Sequence, residues 1–113
     1  MSLNEIGARN VQAFVDSTRA KHAFPKQIDD ITWVDAIDAD GEKVIYSYSL
    51  TVTDQAEASR IVEELRRQLP SSVCNQPDMH RVAADGVTFE YRYRMRNGPS
   101  YDPITITPKD CRL

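Results

Sequence analysis

Val44-Ile45-Tyr46-Ser47-Tyr48-Ser49-Leu50-Thr51-Val52-Thr53 sets Val44, Tyr46, Tyr48, Leu50 and Val52 on one side of an extended chain and Ser47, Ser49, Thr51 and Thr53 on the other. Successive side chains of a strand point to opposite faces, so this is the pattern of a sheet with one face on a core and one in water. A later run repeats it, with Val87, Phe89, Tyr91, Tyr93 and Met95 against Thr88, Glu90, Arg92, Arg94 and Arg96. Each run has a neighbour across a turn. Residues 31–37 precede the first, with Asp38-Ala39-Asp40-Gly41-Glu42 between them and Asp40-Gly41 as the tight turn. Asn97-Gly98-Pro99 follows the second and leads to Ile104 and Ile106 alternating with Thr105 and Thr107.

The segments around these hairpins carry a helical period. Over residues 4–22, Ile6, Val11, Phe14, Val15 and Thr18 recur on one face, and Pro25 limits the run. After the first hairpin, Asp54 is placed to cap a helix, with Glu57 three residues later to reach back. Ala58, Ile61, Val62, Leu65 and Leu69 form the apolar stripe of that helix and Pro70 is expected to stop it, leaving Cys74 in a loop. Residues 77–84 read as a short helix with Pro77 in its first turn, ended by Asp85-Gly86. The order is α-β-β-α-β-β, and the expected fold is an α+β two-layer sandwich: a largely antiparallel four-stranded sheet with two main helices on one face. The connection over residues 54–86 is long enough for either a parallel or an antiparallel return, and the antiparallel one is preferred.

The chain has 113 residues and no Gly/Ser/Pro-rich divider, the size of one domain spanning 1–113. A hydrophobic share of 41% against 27% charged supports a modest core and argues against disorder. The net charge of -3 disfavours nucleic acid as a partner, because that binding draws on basic residues neutralising phosphates. No apolar run is long enough to span a bilayer, and the N-terminus lacks the basic start and apolar run of a signal peptide. Residues 1–3 read as a leader joined to a mature start.

Cys74 and Cys111 are the only cysteines, and the second lies close to the C-terminus. A pair that pins a chain end reads as a disulfide, which requires an oxidising compartment, so the chain is expected to be periplasmic or secreted. The alternative is two small buried thiols in a cytoplasmic protein. A metal site is not expected, since neither cysteine has a CxxC partner and His22 and His80 lack ligand spacing.

Candidate chemistry is sparse. Asp38, Asp40 and Gly41 fill three places of a calcium loop, but its first ligand would be Ala36 and its bidentate twelfth Ser47. His80 lies six residues from Cys74, yet a bonded cysteine offers no thiolate. No phosphate loop, GxSxG or HExxH is present. Neither catalytic residues nor a cofactor are therefore assigned. The expected functional surface is the acidic stretch of Asp29, Asp30, Asp35, Asp38, Asp40 and Glu42 or the polar sheet face carrying Ser47, Ser49, Thr51, Thr88, Arg92, Arg94 and Arg96, the latter able to dock a protein partner or a second copy unless Glu90 and cross-strand neighbours balance the arginines. Tyr46, Tyr48, Tyr91 and Tyr93 lie on the apolar faces, either as core rings or as the floor of a ligand pocket beneath the helices.

The string Pro25-x-x-Ile28-Asp29, Thr32, Gly41, Tyr46-x-Tyr48, Cys74, Gly86-x-x-x-x-Tyr91-x-Tyr93 and Asp110-Cys111 resembles small exported bacterial proteins of no assigned activity. The resemblance implies an envelope setting. The function expected is a non-enzymatic exported binding or interaction domain, with a small-ligand carrier as the alternative and a cryptic enzyme behind both.

Overall fold

The computed structural model describes residues 3–112. Met1 and Ser2 of the expected leader lie outside the described residues, as does the side chain of Ile6. In chain order come helix α1 (Leu3–Lys21), strands β1 (Lys26–Gln27), β2 (Thr32–Asp40) and β3 (Lys43–Leu50), helices α2 (Gln55–Cys74) and α3 (Pro77–Ala84), strands β4 (Thr88–Met95) and β5 (Ile104–Ile106), and a 3-10 turn at Pro108–Cys111. They build an α+β fold on a sheet ordered β1-β2-β3-β4-β5. The pairings β1–β2, β2–β3 and β4–β5 are antiparallel.

The sheet corrects the expected topology twice. It has five strands, because the two exposed residues of β1 pair with Val34 and Trp33 while too short to show any alternation. And β3 pairs with β4 in parallel, not antiparallel. Helix α2 carries the chain back along the sheet, α3 completes the return, and Thr88 N–H donates to Glu42 C=O at 2.9 Å, so β4 starts beside the start of β3. The in-register consequence is that Tyr46 lies beside Tyr91 and Tyr48 beside Tyr93. Both pairs stack with ring centroids 4.8 Å apart and planes 10° from parallel, forming one four-ring ladder.

Two element boundaries also differ from expectation. Strand β2 runs on to Asp40, so the hairpin loop is only Gly41-Glu42, where Gly41 takes the positive φ of 58° that side chains disfavour. Helix α2 continues through Pro70 to Cys74, although an interior proline removes one backbone hydrogen bond and costs about 3 kcal/mol. Stopping at Pro70 would leave Val73, which is buried, outside the core and would carry Cys74 away from Cys111. Those two cysteines are bonded, their Cα atoms 5.2 Å apart, which ties the closing turn to the end of α2.

Both main helices cover the same sheet face. Val11 and Val15 of α1, Ala58, Val62 and Val73 of α2, and Met79 and Ala83 of α3 meet Ile37, Val44, Leu50, Phe89, Ile104 and Ile106 in the core. Phe14 packs edge-on against Phe89 at 6.3 Å. Arg19, at the end of α1, donates to Ile37 C=O at 2.8 and 3.1 Å and pairs with Asp38 at 2.8 Å, which engages a carbonyl on the stretch of β2 that extends beyond β1.

Candidate functional site

The pleat puts the side chains predicted for the polar face on the side away from the helices, and the strand register brings several of them together. Ser47 lies opposite Arg92, Ser49 opposite Arg94, and Ser100 is bridged to Arg94. Between Val34 and Ala36 the β2 register shifts, so Asp35 is an extra residue in that strand. Its carboxylate lies on this face, two residues from Trp33: Ser49 Oγ donates to Asp35 Oδ1 at 3.0 Å, and Arg94 Nη2 lies 3.4 Å from Asp35 Oδ2. Ser49, expected on a wet surface, is 0% exposed. Its small side chain lies under longer neighbours with its hydroxyl satisfied by Asp35.

A second pair supports Arg92. Glu90 is 6% exposed and accepts from Arg92 Nε at 2.6 Å, while Lys43 Nζ stands 3.6 Å away on its other side. The arginines are thus balanced in part by carboxylates of their own face. The remaining predicted residues contribute little to this cluster. Arg96 lies beyond the end of β4 with its guanidinium 5.0 Å from the Trp33 ring, a cation–π contact. Thr51 has left β3 and donates its N–H to Ile31 C=O at 2.8 Å, and Thr88 sits at the opposite end of β4.

The ion pair is asymmetric, and this gives a test. Removing Arg92 strands a buried carboxylate with only the more distant Lys43, whereas removing the charge of Glu90 leaves two half-exposed cations that water can solvate. Arg92→Ala is therefore expected to cost about 2 kcal/mol and Glu90→Gln about 1 kcal/mol, the reverse of their order of burial. Urea denaturation of the two variants checks the order.

A different surface lies on the helix side, where the sequence points to Tyr46 and Tyr48 as a pocket floor but not to the rest of the lining. Thr18 and His22 of α1, Phe24, Lys26, Ile28, Val34, Tyr46 and Tyr48 line a hollow of about 190 Å³ that opens to solvent. Ile28 is 52% exposed, the one exposed large hydrophobic side chain among the described residues. Lys26 Nζ lies 3.2 Å from His22 Nδ1 at the rim, so the apolar floor has a basic edge. Phe24 and Ile28 sit in a polar stretch with neither helical nor strand period. Two bulky apolar residues around Pro25 that serve no periodic face are the signal that marks this part of the hollow, beside the tyrosines of β3.

Two rings of the tyrosine ladder, Tyr46 and Tyr48, belong to the floor of the hollow. Tyr91 and Tyr93 are buried and Tyr46 and Tyr48 partly so, and the stacked rings fill the space between sheet and helices instead of enclosing a void. Burial raises the hydroxyl of Tyr48 to about 12. It raises those of Tyr46, Tyr91 and Tyr93 further, with repulsion from neighbouring tyrosines added in each case and from Asp29 at Tyr93. At neutral pH the ladder therefore presents neutral rings and hydroxyl groups, not phenolate bases.

The fold recurs in solved structures. A candidate secreted protein of Pseudomonas aeruginosa superposes with a TM-score of 0.81 at 16% identity, covering 99% of this chain and 98% of that one. The pilotin EpsS of the Vibrio vulnificus type 2 secretion system gives 0.71 at 14% identity over 98% and 93% of the two chains. The type II secretion system pilotin AspS of Vibrio cholerae gives 0.74 at 16% over 96% and 95%. At such identities these likenesses establish the architecture alone. No curated protein matches the sequence. Sequence does place the chain in a family: the model described as a domain of unknown function (DUF8479) matches residues 7–99, and the chain belongs to that family.

Proposed function

We propose that this is a non-enzymatic domain of the bacterial envelope that binds a segment of another envelope protein, seating an apolar side chain of that segment in the hollow beside Ile28. The observation that carries the reading is an exposed isoleucine on the rim of an open hollow floored by Phe24, Val34, Tyr46 and Tyr48. Rigid aromatic and branched residues around a small depression are the composition of a protein-binding anchor point. The basic edge formed by Lys26 and His22 favours a segment with a carboxylate next to its apolar residue.

The location rests on the Cys74–Cys111 bridge, which persists in an oxidising compartment. The fold shared with a candidate secreted protein and two secretion-system pilotins supports it by analogy. The hollow is small and open, which favours one side chain of a protein over an enclosed small ligand.

A photocrosslinking amino acid at position 28, in cells of a native host, is expected to trap one discrete envelope protein. The purified pair should then bind in solution, and Ile28→Asp should weaken that binding at least about tenfold, the loss of one buried apolar anchor. Position 28 is exposed, so the substitution should leave the melting temperature in place. A crosslinking pattern identical to that from exposed Lys109, or full binding by the aspartate variant, would rule the site out.

A further inference from the structure

A second recess, which shares Tyr48 with the hollow at Ile28, lies where β4 meets Ser100-Tyr101. It has a volume of about 240 Å³ and is lined in part by Ser47, Arg92, Arg94, Ser100 and Pro103. The register sets Ser47 beside Arg92 and Ser100 beside Arg94, so two guanidinium groups and two hydroxyls share one side of the sheet. We infer that this recess binds a carboxylate presented by an acidic peptide segment.

The arginines are held in place by groups that do not exhaust their donors. Buried Glu90 takes the Nε–H of Arg92, and its two terminal nitrogens have no protein acceptor among the described residues. Arg94 is anchored through Nη1 to Arg96 C=O at 3.1 Å and through Nη2 to Asp35, itself bonded to fully buried Ser49, and its Nε stays unengaged among the described residues. A guanidinium oriented by one carboxylate and offering its remaining N–H groups to another is preorganised for a planar oxyanion, and less side-chain freedom is lost when the ligand arrives.

Charge selects the partner. In the ion-pair cluster around the recess, Arg92, Arg94 and Lys43 meet Glu90 and Asp35, three cations against two carboxylates. That matches a single carboxylate. It is too little for a nucleic acid or an anionic membrane, which need several phosphates neutralised at once, and the whole chain is acidic at -3.

The test is an NMR titration of the full chain with a capped triglutamate peptide, following arginine Nε–H and backbone amide signals. The expected result is saturable movement of Arg92, Arg94, Ser47 and Ser100, with binding about tenfold weaker in the double variant Arg92→Lys, Arg94→Lys. That variant keeps the charge and the support for Glu90 but removes the fork, so its melting temperature should hold. No movement at these signals, or equal binding by the lysine variant, overturns the inference. So does preference for phosphatidylglycerol vesicles over the peptide, or concentration-dependent dimerisation through this face with no peptide response. None of these outcomes bears on the Ile28 hollow, whose crosslinking is read independently.

Discussion

Removing the Cys74–Cys111 bridge, by reduction or by the paired change Cys74→Ala and Cys111→Ala, is expected to cost about 4 kcal/mol of folding stability. The two cysteines are 37 positions apart, and opening a loop of that length restores chain entropy to the unfolded state on the scale of about 4 kcal/mol. A domain of this size holds about 5 to 10 kcal/mol in all, so the melting temperature should fall by about 15 °C. Any loosening of the native fold should stay near the tail. The 3-10 turn packs against α2 and α3 and has its own capping box, with Thr107 N–H donating to Asp110 Oδ2 at 2.7 Å, so the sheet core should keep its fold until the lower melting point is reached. Thermal scans with and without a thiol reductant measure this directly. A drop of only a few degrees would mean that the bridge decorates an already secure tail, and the extracytoplasmic reading would lose its main support.

The same bridge shows why parts of the fold are legible in the sequence and parts are not. Alternation in residues 44–50 and 87–95 marks the strands and their apolar faces, because a sheet with one buried face imposes a period of two. The capping aspartate at position 54, accepting from Ala56 N–H at 3.0 Å, is equally visible. Pro70 misleads, since local propensity stops a helix there while a buried Val73 and a bonded Cys74 three and four residues on reward continuing it. Parallel pairing of β3 with β4 is not readable at all, because a connection holding two helices can deliver the next strand in either sense.

The candidate surfaces divide along the same line. Alternation identifies Arg92, Arg94 and Ser47, but it cannot foresee a bulge. Asp35 shares the outer face of Trp33. The extra residue in β2 lets Ala36 follow it opposite Ser47 while Ile37 turns inward to Tyr46, so one strand supplies both the carboxylate that holds Arg94 and Ser49 and a core isoleucine. The hollow at Ile28 is legible only in its tyrosines, Tyr46 and Tyr48, because the rest of it is assembled from a helix end, a turn and a second strand that share no sequence period.

Alkaline pH is expected to unfold this protein cooperatively between about pH 10 and 12, through the four-tyrosine ladder. An exposed tyrosine in the unfolded chain ionises near 10. In the folded protein Tyr48 is raised to about 12 and Tyr46, Tyr91 and Tyr93 further, burial being the main cause in each. Above pH 10 the folded state therefore holds more protons than the unfolded one, so stability is complete below that pH and falls as pH rises. Each such tyrosine contributes a slope of about 1.4 kcal/mol per pH unit, and four together about 5.5, enough to exhaust a total of about 5 to 10 kcal/mol within two units. Tyrosinate absorbance and far-ultraviolet circular dichroism should then change together, because ionisation of the ladder requires its exposure. Tyr91→Phe keeps the ring in its stack at 4.8 Å from Tyr46 and deletes one titrating group, so it should flatten the slope by about 1.4 kcal/mol per pH unit and move the transition upward. If the phenylalanine variant unfolds at the same pH with the same steepness, the ladder does not govern alkaline stability. In that case the parallel register of β3 and β4 stacks these rings for packing alone.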